Sequence, residues 1–277
     1  MNDALATGRL HRGQTVVESS SGNLGLALAR ACTTRGLRFI CVADTRTNRA
    51  TISMMRALGA DVRIIDSPDP ETGELLTARI REVKRIVADN ADTVNLDQYS
   101  NAANPRAHRD GTMTEIVDAL DGKGPDHLFA ATSTTGTVSG CRQLVDARKL
   151  PTRIVAVDVE GSALFGGPPG PRTLPGMGAG QQTSMSRHSR PSSVVRVSEQ
   201  DCIRGCRLLA RREGVLAGAS TGGVVAALRR SLPNVDAGET VVLIGHDSGI
   251  SYAETVYDDR WVEGTLHLNR TEALAWL

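Results

Sequence analysis

Aromatic residues make up only 3% of the 277-residue chain. The core therefore has to be aliphatic, built from Val, Leu, Ile and Ala. Lysine is scarcer still, present only as Lys84, Lys123 and Lys149, so arginine carries most of the positive charge. The 32 basic and 31 acidic residues nearly cancel to a net charge of +1, and they are interspersed. No basic block is present, which excludes the usual electrostatic footprint of a nucleic-acid binder. No apolar run approaches membrane-spanning length, and the N-terminus lacks the apolar stretch of a signal peptide. The five cysteines are odd in number and scattered, which argues against a disulfide framework and for a reduced, cytoplasmic setting. Cys202 and Cys206 stand four apart on a predicted helix with no His or further Cys nearby in sequence. Two small buried thiols are expected there, and no metal site.

What the chain does contain is alternation. Short β-prone runs at 15–18, 38–43, 62–65, 127–131, 153–157, 194–197 and 240–244 are separated by helix-prone stretches at 22–35, 49–58, 71–88, 106–120, 138–148, 199–212 and 221–231. Strands alternating with helices predict an α/β fold with parallel sheets covered on both faces. A short helix is expected over Met1–Leu10, and the polar segment 95–105 and the Gly/Pro-rich stretch 161–180 read as irregular. The turn-forming run Gly122-Lys123-Gly124-Pro125 predicts a division into lobes of residues 1–124 and 125–277, with a cleft between them.

Three loops of small residues open helices. The first is Glu18-Ser19-Ser20-Ser21-Gly22-Asn23-Leu24-Gly25, after the run Thr15-Val16-Val17. Free N–H groups and a positive dipole make such a helix start an anion site, although Ser and Asn are also ordinary N-caps. The second, Ser133-Thr134-Thr135-Gly136-Thr137, follows a strand and offers hydroxyls, backbone N–H groups and a permissive glycine. It is a phosphate cradle without a lysine, and it lacks the Gly-Lys-Ser/Thr ending of a nucleoside-triphosphate loop. The third, Gly218-Ala219-Ser220-Thr221-Gly222-Gly223, fits the spacing of a hydrolase nucleophile elbow, with Asp236 or Asp247 and His246 or His267 as partners. An elbow needs a strand running into the serine, and residues 212–217 make a poor one. Gly176-Met177-Gly178-Ala179-Gly180 follows a proline rather than a strand and lacks the dinucleotide spacing.

Taken in order, these motifs resemble the fold type II pyridoxal-phosphate enzymes, the cysteine synthase and cystathionine β-synthase family, from about Leu5 to Trp261. The resemblance implies a two-lobed, tryptophan synthase β-like α/β fold with pyridoxal 5'-phosphate as cofactor. Ser20-Ser21-Gly22-Asn23 is similar to the family's Thr-Ser-Gly-Asn loop, which holds the substrate carboxylate and, through Asn23, the cofactor's phenolic oxygen. Ser133, Thr134, Thr135, Gly136 and Thr137 are similar to its Gly-Thr-Gly-Gly-Thr phosphate cup. Ser220 matches the serine that meets the pyridine nitrogen. Gln98-Tyr99-Ser100-Asn101 with Asn104-Pro105 resembles its Gln-Phe-x-Asn-Pro segment, whose Gln98 position binds the carboxylate. Gly176–Gly180 resembles the turn beside the active site. The family's Schiff-base lysine sits in a Ser-x-Lys-Asp-Arg stretch just ahead of the helix that Met1–Leu10 resembles, so no catalytic residue is expected among Lys84, Lys123 and Lys149. Ile250-Ser251 stands where relatives carry Glu-Arg before Tyr252.

Leu24 in place of a threonine, Ala131-Thr132-Ser133-Thr134, Arg211-Arg212-Glu213-Gly214 and Tyr257-Asp258-Asp259-Arg260-Trp261 resemble the subgroup that serves 2,3-diaminopropionate (siderophore) biosynthesis. Those synthases join O-phospho-L-serine to L-glutamate, and Arg106 is the candidate for the leaving phosphate. The resemblance implies small-molecule amino-acid substrates and a homodimer. Cysteine synthesis from O-acetylserine and sulfide, a cofactor-binding homologue without turnover, and a hydrolase built on Ser220 are the alternatives.

Overall fold

The computed structural model describes all 277 residues. It divides into two compact units, Met1–Asn101 and Ala102–Leu277.

The first unit contains α1 (Asn2–Ala6), β1 (Thr15–Ser19), α2 (Asn23–Thr33), β2 (Arg38–Asp44), α3 (Arg49–Ala57), β3 (Asp61–Ile65), α4 (Leu75–Asp89) and β4 (Thr93–Asn95). Its sheet is wholly parallel, in the order β3-β2-β1-β4. Alternation of side chains across the pleat decides the two cores. Val16, Phe39, Cys41, Ala43 and Val62 face α2 and α3, where Leu28, Ala29, Cys32 and Met55 close the layer. Val17 and Val42 face the other way, onto Val83 and Ile86 of α4. β1, and β2 beyond its first residue, are covered on both faces, which is why they read as near-continuous apolar runs.

The second unit opens with α5 (Ala103–Ala107), a π turn (His108–Met113) and α6 (Thr114–Ala119). There follow β5 (His127–Ala131), α7 (Gly136–Arg148), β6 (Arg153–Val159), α8 (Ser184–His188), β7 (Ser193–Val197), α9 (Glu199–Arg212), α10 (Ala219–Ser231), β8 (Val241–Leu243), α11 (Asp259–Leu266) and α12 (Arg270–Ala273). Its parallel sheet has the order β7-β6-β5-β8. Phe129, Val155 and Val157 face α9 and α10, while Leu128, Ala130, Ile154 and Ala156 face α7 and the π turn.

The division falls after Asn101 rather than at the glycine-rich turn 122–125. The cause is close packing of residues 104–109 on α7. A Cβ on Gly140 would lie 2.1 Å from the Pro105 carbonyl oxygen and 2.8 Å from the Arg109 nitrogen. That contact brings the α5 segment into the second unit.

Glycine sets a second close approach, between α9 and α10. A Cβ on Gly205 would meet the Gly222 carbonyl oxygen at 2.1 Å, and one on Gly222 the Cys202 carbonyl oxygen at the same distance. All five thiols are buried. Burial pushes Cys41, Cys141 and Cys206 up to about 12, so they are packing groups rather than nucleophiles. No helix is long and apolar enough to cross a membrane.

Candidate active site

In a parallel sheet, ligands gather beyond the carboxyl ends of the strands, where neighbouring connections leave in opposite directions. In the second unit that point lies between β5 and β8, with α7 on one face and α10 on the other. The loops singled out in the sequence lead to these two helices.

Thr132 leaves β5 with its N–H and hydroxyl both donating to the Val157 carbonyl at 2.9 Å. Thr135 then adopts φ +66° and caps α7 in the left-handed region. A β-branched residue is costly there, and such strain is characteristic of ligand clamps. The permissive conformation thus falls on Thr135, not on Gly136. Gly136 serves space instead: a Cβ on it would lie 2.0 Å from Asn104 Oδ1. The N-cap residue Thr135 makes no side-chain cap bond to α7. Thr134 Oγ1 accepts the Gly136 N–H at 3.3 Å and Asn104 Nδ2–H at 3.2 Å. Thr137 Oγ1 is 3.3 Å from His108 Nε2. Ser133 and Thr137 are half-buried beside them. Neutral hydroxyls and helix N–H groups make a donor set that fits a phosphate.

On the other face, Ser220 lies in the first turn of α10, 5% exposed. Its hydroxyl faces Asp247 Oδ1 at 3.5 Å, and Asp247 Oδ2 accepts from Tyr252 OH at 2.9 Å. Burial, and then the Asp247 charge, raise the Tyr252 phenol so that it stays protonated. Tyr257 OH accepts the Ala217 N–H at 2.9 Å and donates to the Ala217 carbonyl at 2.7 Å, fixing the approach to α10. His246 Nε2 accepts the Ala131 N–H at 2.8 Å. Desolvation, helped by His108, pushes this imidazole down to about 4, so it is neutral with its proton on Nδ1. The Gly176–Gly180 turn joins the same edge, with the Gly178 N–H donating to the Thr132 carbonyl at 2.8 Å.

The hydrolase reading loses its geometry. Residues 213–218 form no strand of either sheet, and Ser220 faces a carboxylate. His246, the nearest imidazole in sequence to that carboxylate, has its accepting nitrogen engaged by Ala131.

In the first unit, Ser20 and Ser21 lie between β1 and α2 and Asn23 opens α2, with Ser20 buried, Ser21 half-buried and Asn23 exposed. Ser20 Oγ accepts the N–H groups of Gly25 at 2.9 Å and Gly22 at 3.3 Å, so its acceptor capacity is turned inward. Gln98, beyond β4, donates to the Ser19 carbonyl and so lies against the same loop. Glu18, 2% exposed at the end of β1, accepts the Ser19 N–H at 3.1 Å. Desolvation pushes its carboxyl up to about 7. Arg106 belongs to the second unit, exposed on α5, where its charge helps lower Asp110. Lys84, Lys123 and Lys149 are all exposed. Asn104 and His108 carry much of this geometry without having been assigned a role from the sequence, where the signal available was the Asn-Pro-x-x-His spacing of residues 104–108; Asp247, considered there only as a hydrolase partner, instead faces Ser220 and Tyr252.

Two parallel units with small-residue loops at their switch points, one of them phosphate-shaped, define a fold type II enzyme of the pyridoxal-phosphate class. A family model for pyridoxal-phosphate dependent enzymes matches residues 2–247, and the chain belongs to that family. The N-(2-amino-2-carboxyethyl)-L-glutamate synthase of Ralstonia nicotianae is 38% identical over 258 residues, covering 93% of this chain and 76% of the relative. Among solved structures, the O-acetylserine dependent cystathionine beta-synthase of Helicobacter pylori is 27% identical with a TM-score of 0.84, covering 92% of this chain and 81% of that one. An O-ureido-L-serine synthase is also 27% identical, with a TM-score of 0.83 and coverage of 94% and 84%. The chain is thus a member of a family of pyridoxal-phosphate dependent β-replacement enzymes.

Proposed function

We propose that the protein replaces the β-substituent of a serine derivative, using O-phospho-L-serine and L-glutamate to form N-(2-amino-2-carboxyethyl)-L-glutamate and phosphate. The observation that carries the cofactor reading is the α7 cup, whose hydroxyls and helix-start N–H groups, with no cap bond from Thr135, suit a phosphate ester. Pyridoxal phosphate, when bound, supplies the electron sink that makes the α-proton acidic and the β-substituent a leaving group. Ser133, Thr134, Thr135, Gly136 and Thr137 would hold its phosphate, Ser220 its pyridine nitrogen, and Asn23 its phenolic oxygen. Ser20, Ser21 and Gln98 would orient the substrate carboxylate, which selects the bond to be broken. The Ser20 oxygen accepts from Gly22 and Gly25 and its hydroxyl donates to the Gly22 carbonyl at 3.5 Å, so holding a carboxylate would mean turning that proton from the Gly22 carbonyl to the substrate. Arg106 would meet the leaving phosphate, a role suited to a forked guanidinium. The substrate pair rests on the relative's activity and on Leu24 in place of a hydroxyl. The same reading makes the protein a cytoplasmic homodimer serving 2,3-diaminopropionate and siderophore biosynthesis.

The test uses protein in which the family's Ser-x-Lys-Asp-Arg segment is present. Phosphate release from O-phospho-L-serine should require L-glutamate for full turnover. A higher kcat/KM with O-acetylserine and sulfide would make the protein a cysteine synthase instead. Saturable cofactor binding without turnover on either pair would make it a binding homologue. Ser220→Ala should change the spectrum of bound cofactor, and Ser220 should resist fluorophosphonate labelling.

A further inference from the structure

A hydroxyl both donates and accepts, so a threonine-lined cup does not discriminate by charge until its protons are directed. Here they are directed from behind. The two bonds that Thr134 Oγ1 accepts, from Gly136 N–H and Asn104 Nδ2–H, occupy both of its lone pairs. Its O–H proton is what it has left to offer. His108 stands against Thr137 in the matching position, one ring nitrogen facing its hydroxyl. It is half-buried, and desolvation holds its imidazole below the usual range, so at neutral pH one ring nitrogen donates and the other accepts. Nδ1 lies 3.1 Å from Thr112 Oγ1, and Nε2 lies 3.3 Å from Thr137 Oγ1. Asn104, His108 and Thr112 come from one segment, α5 and the π turn. That segment is clamped to α7 where Gly136 and Gly140 have no Cβ. π turns are uncommon and recur at functional sites.

We propose that Asn104 and His108 are positioning residues that turn the Thr134 and Thr137 hydroxyls outward as donors, so that the cup takes a phosphate with no lysine or arginine of its own. His108 then carries its proton on Nε2, with Nδ1 accepting from Thr112. The proposal rests on the cofactor reading above, and the experiment separates the two. Pyridoxal phosphate, and pyridoxal as the phosphate-free control, are titrated by ligand fluorescence against wild type, H108L, H108Q and N104D. The tautomer of His108 is read by 15N NMR. Wild type should favour pyridoxal phosphate over pyridoxal. H108L and N104D should each weaken pyridoxal phosphate about tenfold, one charge-assisted hydrogen bond, and leave pyridoxal unchanged. H108Q, whose amide can donate in place of Nε2, should recover most of the loss. An Nδ1–H tautomer, or equal losses for both ligands in H108L with no recovery in H108Q, would overturn the proposal. Wild type that binds the two ligands alike would overturn the cofactor reading, and the proposal with it.

Discussion

Gly136→Ala separates the stability of the cup from its affinity. The new Cβ would stand 2.0 Å from Asn104 Oδ1, and Asn104 must retreat by about 1.4 Å to reach the 3.4 Å of ordinary contact. That retreat breaks its 3.2 Å bond to Thr134 Oγ1. The lost hydrogen bond costs about 0.5–1.5 kcal/mol. Alanine in the helix recovers up to about 1 kcal/mol relative to glycine. Folding stability should therefore change by no more than about 1.5 kcal/mol. Binding should suffer more, because Thr134 is then free to present a lone pair to the phosphate; one misdirected charge-assisted bond is about 1.5–3 kcal/mol, or a tenfold to hundredfold loss. Gly140→Ala is the contrast. Its Cβ strikes backbone, the Pro105 oxygen and the Arg109 nitrogen, which cannot swing aside. Overpacking of that kind costs about 1–3 kcal/mol. Urea unfolding and pyridoxal phosphate titration on the two variants decide the matter. Gly136→Ala that unfolds as readily as Gly140→Ala, or that binds pyridoxal phosphate as wild type does, would refute the reasoning.

Glu18→Gln should stabilise the first unit in a pH-dependent way. With the folded carboxyl raised from 4.5 to about 7, the native state binds more protons than the unfolded one between those values. Stability is therefore highest below about pH 4.5 and falls until about pH 7. The glutamine variant should gain up to about 3 kcal/mol at pH 8 and little at pH 5 in denaturant titrations; an equal gain at both would remove the titration as its cause. Tyr257→Phe should leave the Ala217 N–H and carbonyl without their shared partner. Each unsatisfied buried group costs about 1–3 kcal/mol. Unfolding measurements should show that loss, and a shift of less than about 0.5 kcal/mol, the scale of an uninvolved surface position, would contradict it.

Long apolar runs and clear capping made much of the fold legible. β5 (His127–Ala131) and α9 (Glu199–Arg212) fall where the pattern puts them, the latter because Ser198 caps it by accepting the Asp201 N–H at 3.1 Å. β4 escaped because it has three residues, Thr93–Asn95, set between polar segments, and gains its identity only by pairing with β1. The predicted helix over 71–88 begins at Leu75 because the buried Asp69 carboxylate captures the N–H groups of Glu71 and Thr72 and holds them in a turn. The predicted single helix over 106–120 is broken by the π turn His108–Met113, after which the Thr114 hydroxyl donates to the Arg109 carbonyl at 2.9 Å. In the site, the hydroxyl loops announced themselves by composition. Their second layer did not, because Asn104 and His108 act through Thr134 and Thr137, across 29 or 30 residues of chain. Thr135 was opaque for the opposite reason: its left-handed φ is a choice that threonine opposes, at the third position of a pattern where the family has glycine.

The contiguity of the first unit has a consequence for biogenesis. All four of its strands lie within residues 1–101, so its sheet can close while the 176 residues of the second unit are still being made. At about 5–20 residues per second that interval is roughly 9–35 s. Parallel pairing is slow, and open edges are hazardous during the wait. The β3 edge is furnished for it: Asp61 and Arg63 pair at 3.1 Å, and Arg63 also reaches Glu82 at 3.6 Å. Charge on that margin discourages a neighbouring nascent chain from adding a strand. The opposite margin, β4, is short enough to offer little template.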